Sequence, residues 1–138
     1  MLLLSESRIF GIFLAWCLLT KACRYFCNAR AEKYAAGGSF NVHFFLGDFN
    51  SDPLLRGHDS NLVGTFSVFA NDPETTGCVK CQGDAQDGLI VTASIPLTGA
   101  LLDRIPDLQT LDPDVVIPYL QKNLHWRCNR VCTLHVFN

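Results

Sequence analysis

The sequence predicts a mainly β fold: a sandwich- or barrel-like single domain of about six or seven strands, with one or two short helices late in the chain. Three observations carry this. Short runs such as Phe40-Asn41-Val42-His43-Phe44 and Phe66-Ser67-Val68 put apolar residues on one face of a strand. Gly, Pro, Asn and Asp punctuate these runs at Gly37-Gly38, Ser51-Asp52-Pro53 and Asn71-Asp72-Pro73. A chain of 138 residues that is 49% hydrophobic has room for one core and not for two ordinary domains.

Residues 1–27 stand apart as an apolar N-terminal segment, and the domain is expected to run over residues 28–138. Ile9 to Leu19 has the length of a signal-peptide apolar core and is short for a bilayer span, while Glu6 offsets Arg8 ahead of it. A leader or anchor and a short helix outside the domain are the two readings. Any membrane association would have to run through residues 9–19.

Within the domain, residues 28–36 and 39–47 read as two strands joined at Gly37-Gly38, an opening hairpin. Phe40, Val42 and Phe44 share one face, and Asn41, His43 and Phe45 share the other, more polar one. Residues 48–61 read as a long surface loop. Leu62 to Ala70 is the third strand, with Phe66 and Val68 on one side and Thr65, Ser67 and Phe69 on the other. Gly83 to Gly88 reads as a polar turn. Leu89 to Leu97, rich in β-branched residues, is expected at the centre of a sheet. Thr98 can cap a short helix that Pro106 stops. Asp112-Pro113-Asp114 begins another, with Val115, Val116, Tyr119, Leu120 and Leu124 as its buried face and Pro118 as a kink. Two last strands, 124–128 and 131–137, would turn at Asn129-Arg130.

The 13 acidic and 11 basic side chains are scattered without blocks, which leaves no footprint for nucleic acid. Seven cysteines cannot all pair within one chain, and their clustering suits a reducing compartment. The cytoplasm is therefore the expected location, with secretion or anchoring as the alternative offered by the apolar N-terminal segment.

Chemistry concentrates at Gly77-Cys78-Val79-Lys80-Cys81. Two thiols at this spacing can grip one soft metal ion or close a disulfide. Thiolates favour Cu(I) and Zn over hard cations, and Lys80 would lower the thiol pKa from close by. The histidines, His43, His58, His125 and His135, never take the i, i+4 spacing of a helical metal site. His58, in the long loop, is a candidate third ligand, set against the commoner solvated loop histidine. Cys128 and Cys132, flanking the expected hairpin turn, read as packing residues in preference to ligands.

The stretch from Ala31 to Phe49, the run Leu62 to Ala70, the Cys-Val-Lys-Cys motif and Ile117-Pro-Tyr-Leu-Gln-Lys-Asn-Leu-His-Trp-Arg resemble, in that order, the C-terminal domain of fungal tyrosinases. The resemblance covers about residues 28–137. It implies a β domain that follows the catalytic copper domain of a monooxygenase of melanin biosynthesis and covers its active-site entrance. It also implies that one residue plugs the dicopper site and that the CxxC pair is tied to copper loading. By position in Phe-Ser-Val-Phe-Ala, the plug is Phe69, which competes with the reading of Phe69 as a core aromatic. Residues 1–24 match nothing in that family, and the connection at Asn129-Arg130 is shorter than its usual loop.

A type-3 copper site needs six histidines and this chain has four, so the chain alone is not expected to be an enzyme. The expected function is that of an accessory domain whose partner is the tyrosinase catalytic domain, with Cu(I) held transiently at Cys78 and Cys81. The absence of a second CxxC favours transfer over a closed zinc site. The alternatives are a structural or interaction remnant of a tyrosinase and, last, a thiol redox protein. The last ranks low because thiol oxidoreductases place CxxC at a helix N-terminus, and the flanks here read as turn and loop.

Overall fold

Alternation along two strands creates the core. In a computed structural model, which describes residues 24–104 and 111–131 and the backbone of 9–16, six strands form two three-stranded antiparallel sheets. The first has β2 (Arg24–Glu32) between β1 (Ile9–Trp16) and β5 (Ile90–Pro96). The second has β3 (Phe40–Leu46) between β4 (Leu62–Val68) and β6 (Leu124–Arg130). Tyr25, Cys27, Ala29 and Ala31 of β2 share a buried cluster with Phe40, Val42, Phe44 and Leu46 of β3. The domain is thus a sandwich of mainly β character, and the sheets do not close into a barrel.

The expected opening hairpin does not form. The strands on either side of Gly37-Gly38 lie in different sheets, and the glycines, at φ 62° and 151°, carry the chain across. The physical reason is that both strands have an apolar face. Stacked in two layers, they bury those faces against each other, whereas pairing side by side would leave both on one surface still to be covered. The segment 9–16, weighed as a helix, is a strand paired with β2, and β2 begins at Arg24.

Strand β5 lies at a sheet edge and not at the centre. Pro96 has no N–H to give a second neighbour, which an edge tolerates. The two sheets meet closely where β4 passes β5. A Cβ placed on Gly64 would run into Ile95 Cγ2, so only glycine lets these backbones approach as they do.

Three α-helices complete the described residues: α1 (Val79–Gln86), α2 (Thr98–Arg104) and α3 (Pro113–Asn123). Helix α1 replaces the expected polar turn and falls in mid-chain, not late. It buries no residue, so no apolar periodicity announces it. Thr98 does not act as the expected cap: its Oγ1 accepts from the Tyr25 N–H at 2.8 Å, and Leu97 O receives the Leu101 N–H as the helix begins. Helix α3 starts as expected, with Asp112 extended at the N-cap, Pro113 first and Asp114 in the first turn. Its buried residues are Val116 and Leu120, one turn apart, while Val115 is exposed.

The turn expected at Asn129-Arg130 is absent. Strand β6 runs through both residues, with Asn41 opposite Asn129 and Phe40 opposite Arg130. The full length of β3 is available as a template, so β6 continues to its end. Cys128 sits opposite Val42 and packs partly buried against the core. Cys132, His135 and the expected strand 131–137, apart from Val131, lie outside the described residues.

Candidate functional site

Strands β4 and β6 flank β3 and run the same way, so both end beside Ser39 and Phe40. This end of the sandwich carries the residues of interest. Ser39 Oγ accepts from the Ala70 N–H at 3.1 Å and donates to Ala70 O at 3.2 Å, and Ser39 O accepts from the Val131 N–H at 2.9 Å. The backbone on both sides of Phe69 is therefore fixed, by β4 before it and by Ser39 after it. The Phe69 side chain is 80% exposed. As a core aromatic it would be covered; Phe44, between the sheets, is 2% exposed.

From Ala70 the chain reaches the cysteines through a turn built on Asp72. Its carboxylate accepts from the Glu74 N–H at 3.0 Å, and its carbonyl accepts from the Thr75 and Thr76 N–H groups. Thr76 Oγ1 then accepts from the Cys78 N–H, and Thr76 O from Gln82 Nε2 at 3.0 Å. An open groove of about 670 Å³ runs between these parts, lined by Gly37, Ser39, Ala70, Thr76, Arg130 and Val131 among others. Arg130 closes one side by donating to Gly37 O at 2.7 Å. In the sequence Asp72 and Arg130 read only as turn residues, and Ser39, a lone serine after two glycines, carries no signal of its own.

Cys78 and Cys81 are joined as a disulfide, with their Cα atoms 5.2 Å apart. The pair lies not in a loop but at a helix N-terminus. Cys78 is the extended N-cap of α1, and its Sγ accepts from the Cys81 N–H at 3.2 Å. Lys80 Nζ is committed to Asp84 one turn on, at 2.8 and 3.0 Å, so its charge is offset; that hydrogen bond raises the Lys80 pKa. The other described cysteines differ in kind. Burial pushes the thiols of Cys27 and Cys128 up to about 11, which leaves them protonated at neutral pH.

Metal fits this pair only after reduction, because the required ligand is a thiolate and a disulfide sulfur is not one. Once reduced, the sulfurs stand on neighbouring positions of one helical turn, a donor set suited to a soft cation. Among the described residues no three His, Cys, Asp or Glu side chains gather into a ligand group. His58 lies exposed in a 3-10 turn, Arg56–His58, and the structure does not bring it to the cysteines.

The long loop folds over the outer face of the second sheet. Phe49 stacks on Phe45 at 4.8 Å, meets His125 at 5.8 Å and lies under the Arg127 guanidinium at 4.5 Å. Arg56 donates to Asn129 Oδ1 at 2.6 Å. His43, placed on this face as expected, is nevertheless buried, with Nδ1 3.0 Å from Thr65 Oγ1. Burial, and then the Arg56 charge, holds its pKa below the ordinary 6.5. The unfolded chain therefore takes up this proton first. Stability is full above pH 6.5 and falls as pH drops from there through the lowered folded value. Urea midpoints measured from pH 7.5 to 5 should decline, and in His43→Gln this part of the decline should vanish.

The family model described as the tyrosinase C-terminal domain matches residues 24–133. The chain belongs to the tyrosinase C-terminal domain family. A tyrosinase of Neurospora crassa is 47% identical over 102 residues, which is 72% of this chain and 15% of that protein. A tyrosinase of Podospora anserina is 41% identical over 87 residues, 60% of this chain and 15% of that protein. This tyrosinase C-terminal domain thus corresponds to about 15% of the length of those relatives and not to their catalytic part. No solved structure matches it.

Proposed function

We propose that this domain shields the dicopper site of a tyrosinase catalytic domain, with Phe69 as the plug, and supplies Cu(I) through the reduced Cys78 and Cys81. The observation that supports it best is an exposed aromatic, held on a fixed backbone, whose neighbour Ala70 shares a groove with Thr76, the residue that accepts from the Cys78 N–H. An exposed phenylalanine has no stabilising role in the isolated domain, and it can fill an aromatic-sized pocket in a partner. The groove, lined by Ala70 just after Phe69 and by Thr75 and Thr76 just ahead of Cys78, would bring plug and donor sulfurs to one interface.

Cys78 and Cys81, as thiolates, would hold the ion in low coordination. Bound there, copper is a cargo that ligand exchange can pass to an imidazole-rich site. The domain is not itself a phenol oxidase on this reading. Of its four histidines, His43 is spent on Thr65 and His58 is remote in a loop, and a six-histidine site must come from the partner.

Copper stoichiometry of the reduced protein under anaerobic conditions tests the delivery half. About one Cu(I) per chain is expected for the native sequence, and none for the Cys78→Ser, Cys81→Ser variant. Equal binding by the two forms would end copper delivery. The shielding half is tested by adding the domain to a catalytic domain: Phe69→Ala should inhibit less than the native sequence, and equal inhibition would remove Phe69 from the role.

A further inference from the structure

The Cys78–Cys81 disulfide is built differently from one that holds a fold together. It spans only two intervening residues, so it closes almost no chain, and the helix it begins contributes no side chain to the core. Val79, between the two sulfurs, is 81% exposed. What ties α1 down is local: Gln82 Nε2 to Thr76 O, Leu89 N to Asp84 O, and the N-cap itself. Both cysteines are half-buried at the surface, within reach of a small solute, whereas Cys27 lies fully in the core. The bond therefore lies outside the core cluster and outside every strand pairing. The helix N-terminus also orients the Cys78 sulfur, which accepts from the Cys81 N–H.

We propose that Cys78 and Cys81 are a reversible dithiol–disulfide couple that exchanges with a low-molecular-weight thiol while the domain stays folded. A thiolate of the small molecule attacks one protein sulfur, the Cys78–Cys81 bond breaks, and the departing sulfur leaves as a thiolate that takes a proton from water. A second small thiolate attacks the small-molecule sulfur of the mixed disulfide and frees the other cysteine. The small thiol ends as its own disulfide, and two electrons have passed to the protein pair. Resting on the copper reading above, this opening is the step that admits metal, and oxidation is the step that expels it.

The test places the full chain in native buffer with glutathione at graded reduced-to-oxidised ratios, traps free thiols by alkylation at each ratio and reads the 78–81 peptide by mass spectrometry. Circular dichroism and Cu(I) uptake against a competing chelator are recorded on the same samples. About nine-tenths conversion to dithiol in millimolar reduced glutathione, reversed by oxidised glutathione without change in circular dichroism, is the expected result. A disulfide that yields only when urea unfolds the chain overturns the proposal. With oxidised glutathione, Cys81→Ser and Cys78→Ser should hold the remaining cysteine as a mixed disulfide with release of one reduced glutathione, and two variants that both stay unmodified would likewise overturn it. A pair that opens as expected yet takes up no Cu(I) supports exchange and sinks the copper reading instead.

Discussion

Phe44→Ala is expected to destabilise the domain by about 3–5 kcal/mol, a large part of the stability of a domain this size. Phe44 lies between the sheets at 2% exposure and takes part in the central cluster with Tyr25, Phe40 and Val42. Removing its ring takes away contacts from both layers and leaves a cavity that two hydrogen-bonded sheets cannot collapse to fill. Phe69→Ala removes the same ring from water-exposed surface and should change stability by no more than about 0.5 kcal/mol. Urea denaturation of the two variants side by side is the measurement. A loss at Phe69 as large as that at Phe44 would mean that Phe69 is a packing residue after all.

Gly64→Ala should cost about 1–3 kcal/mol, although it adds a single methyl group. That methyl would meet Ile95 Cγ2, with Ile95 Cβ and Cδ1 close behind. Cγ2 is fixed to a β-branched carbon and cannot swing aside as the end of a long side chain would. Ile95→Ala alone should also destabilise, because Ile95 is buried in the core. The double variant Gly64→Ala, Ile95→Ala should recover part of the loss, with a coupling of about 0.5–3 kcal/mol in a double-mutant cycle. Additive losses would show that the sheets meet there less closely than described.

Reduction of the disulfide is a contrasting, small effect. Closing so short a loop constrains the unfolded chain by about 2 kcal/mol at most, and the helix it begins has no fully buried residue. The Cys78→Ser, Cys81→Ser variant should therefore melt within several degrees of the native sequence, so its copper binding can be compared on a folded protein. A collapse of the melting transition in that variant would assign the bond to the fold.

Several features were legible in the sequence because each depends on near neighbours alone. Alternation in 40–46 and 62–68 fixed which residues face the core. Asp112-Pro113-Asp114 fixed the start of α3. The order of motifs from Ala31 to Arg127 carried the kinship. Other features were hidden for equally local reasons. Helix α1 has no apolar stripe, and its only announcement is a cysteine acting as N-cap, a residue outside the usual capping set. The exposure of Phe69 depends on where β4 stops pairing, which period-two patterning cannot say.

By itself the sequence determined the strand faces, the family and the close spacing of Cys78 and Cys81, since these follow from residue type and spacing. Tertiary structure alone decided how the strands combine. Whether 24–32 pairs beside 40–46 or stacks above it is a choice between two ways of burying the same apolar faces, and the answer depends on β1, β4, β5 and β6 being present to fill both edges. That choice sends Gly37-Gly38 across the sandwich, sets Ser39 beside Ala70, and so brings the residue after Phe69 to the same groove as Thr76, which accepts from the Cys78 N–H.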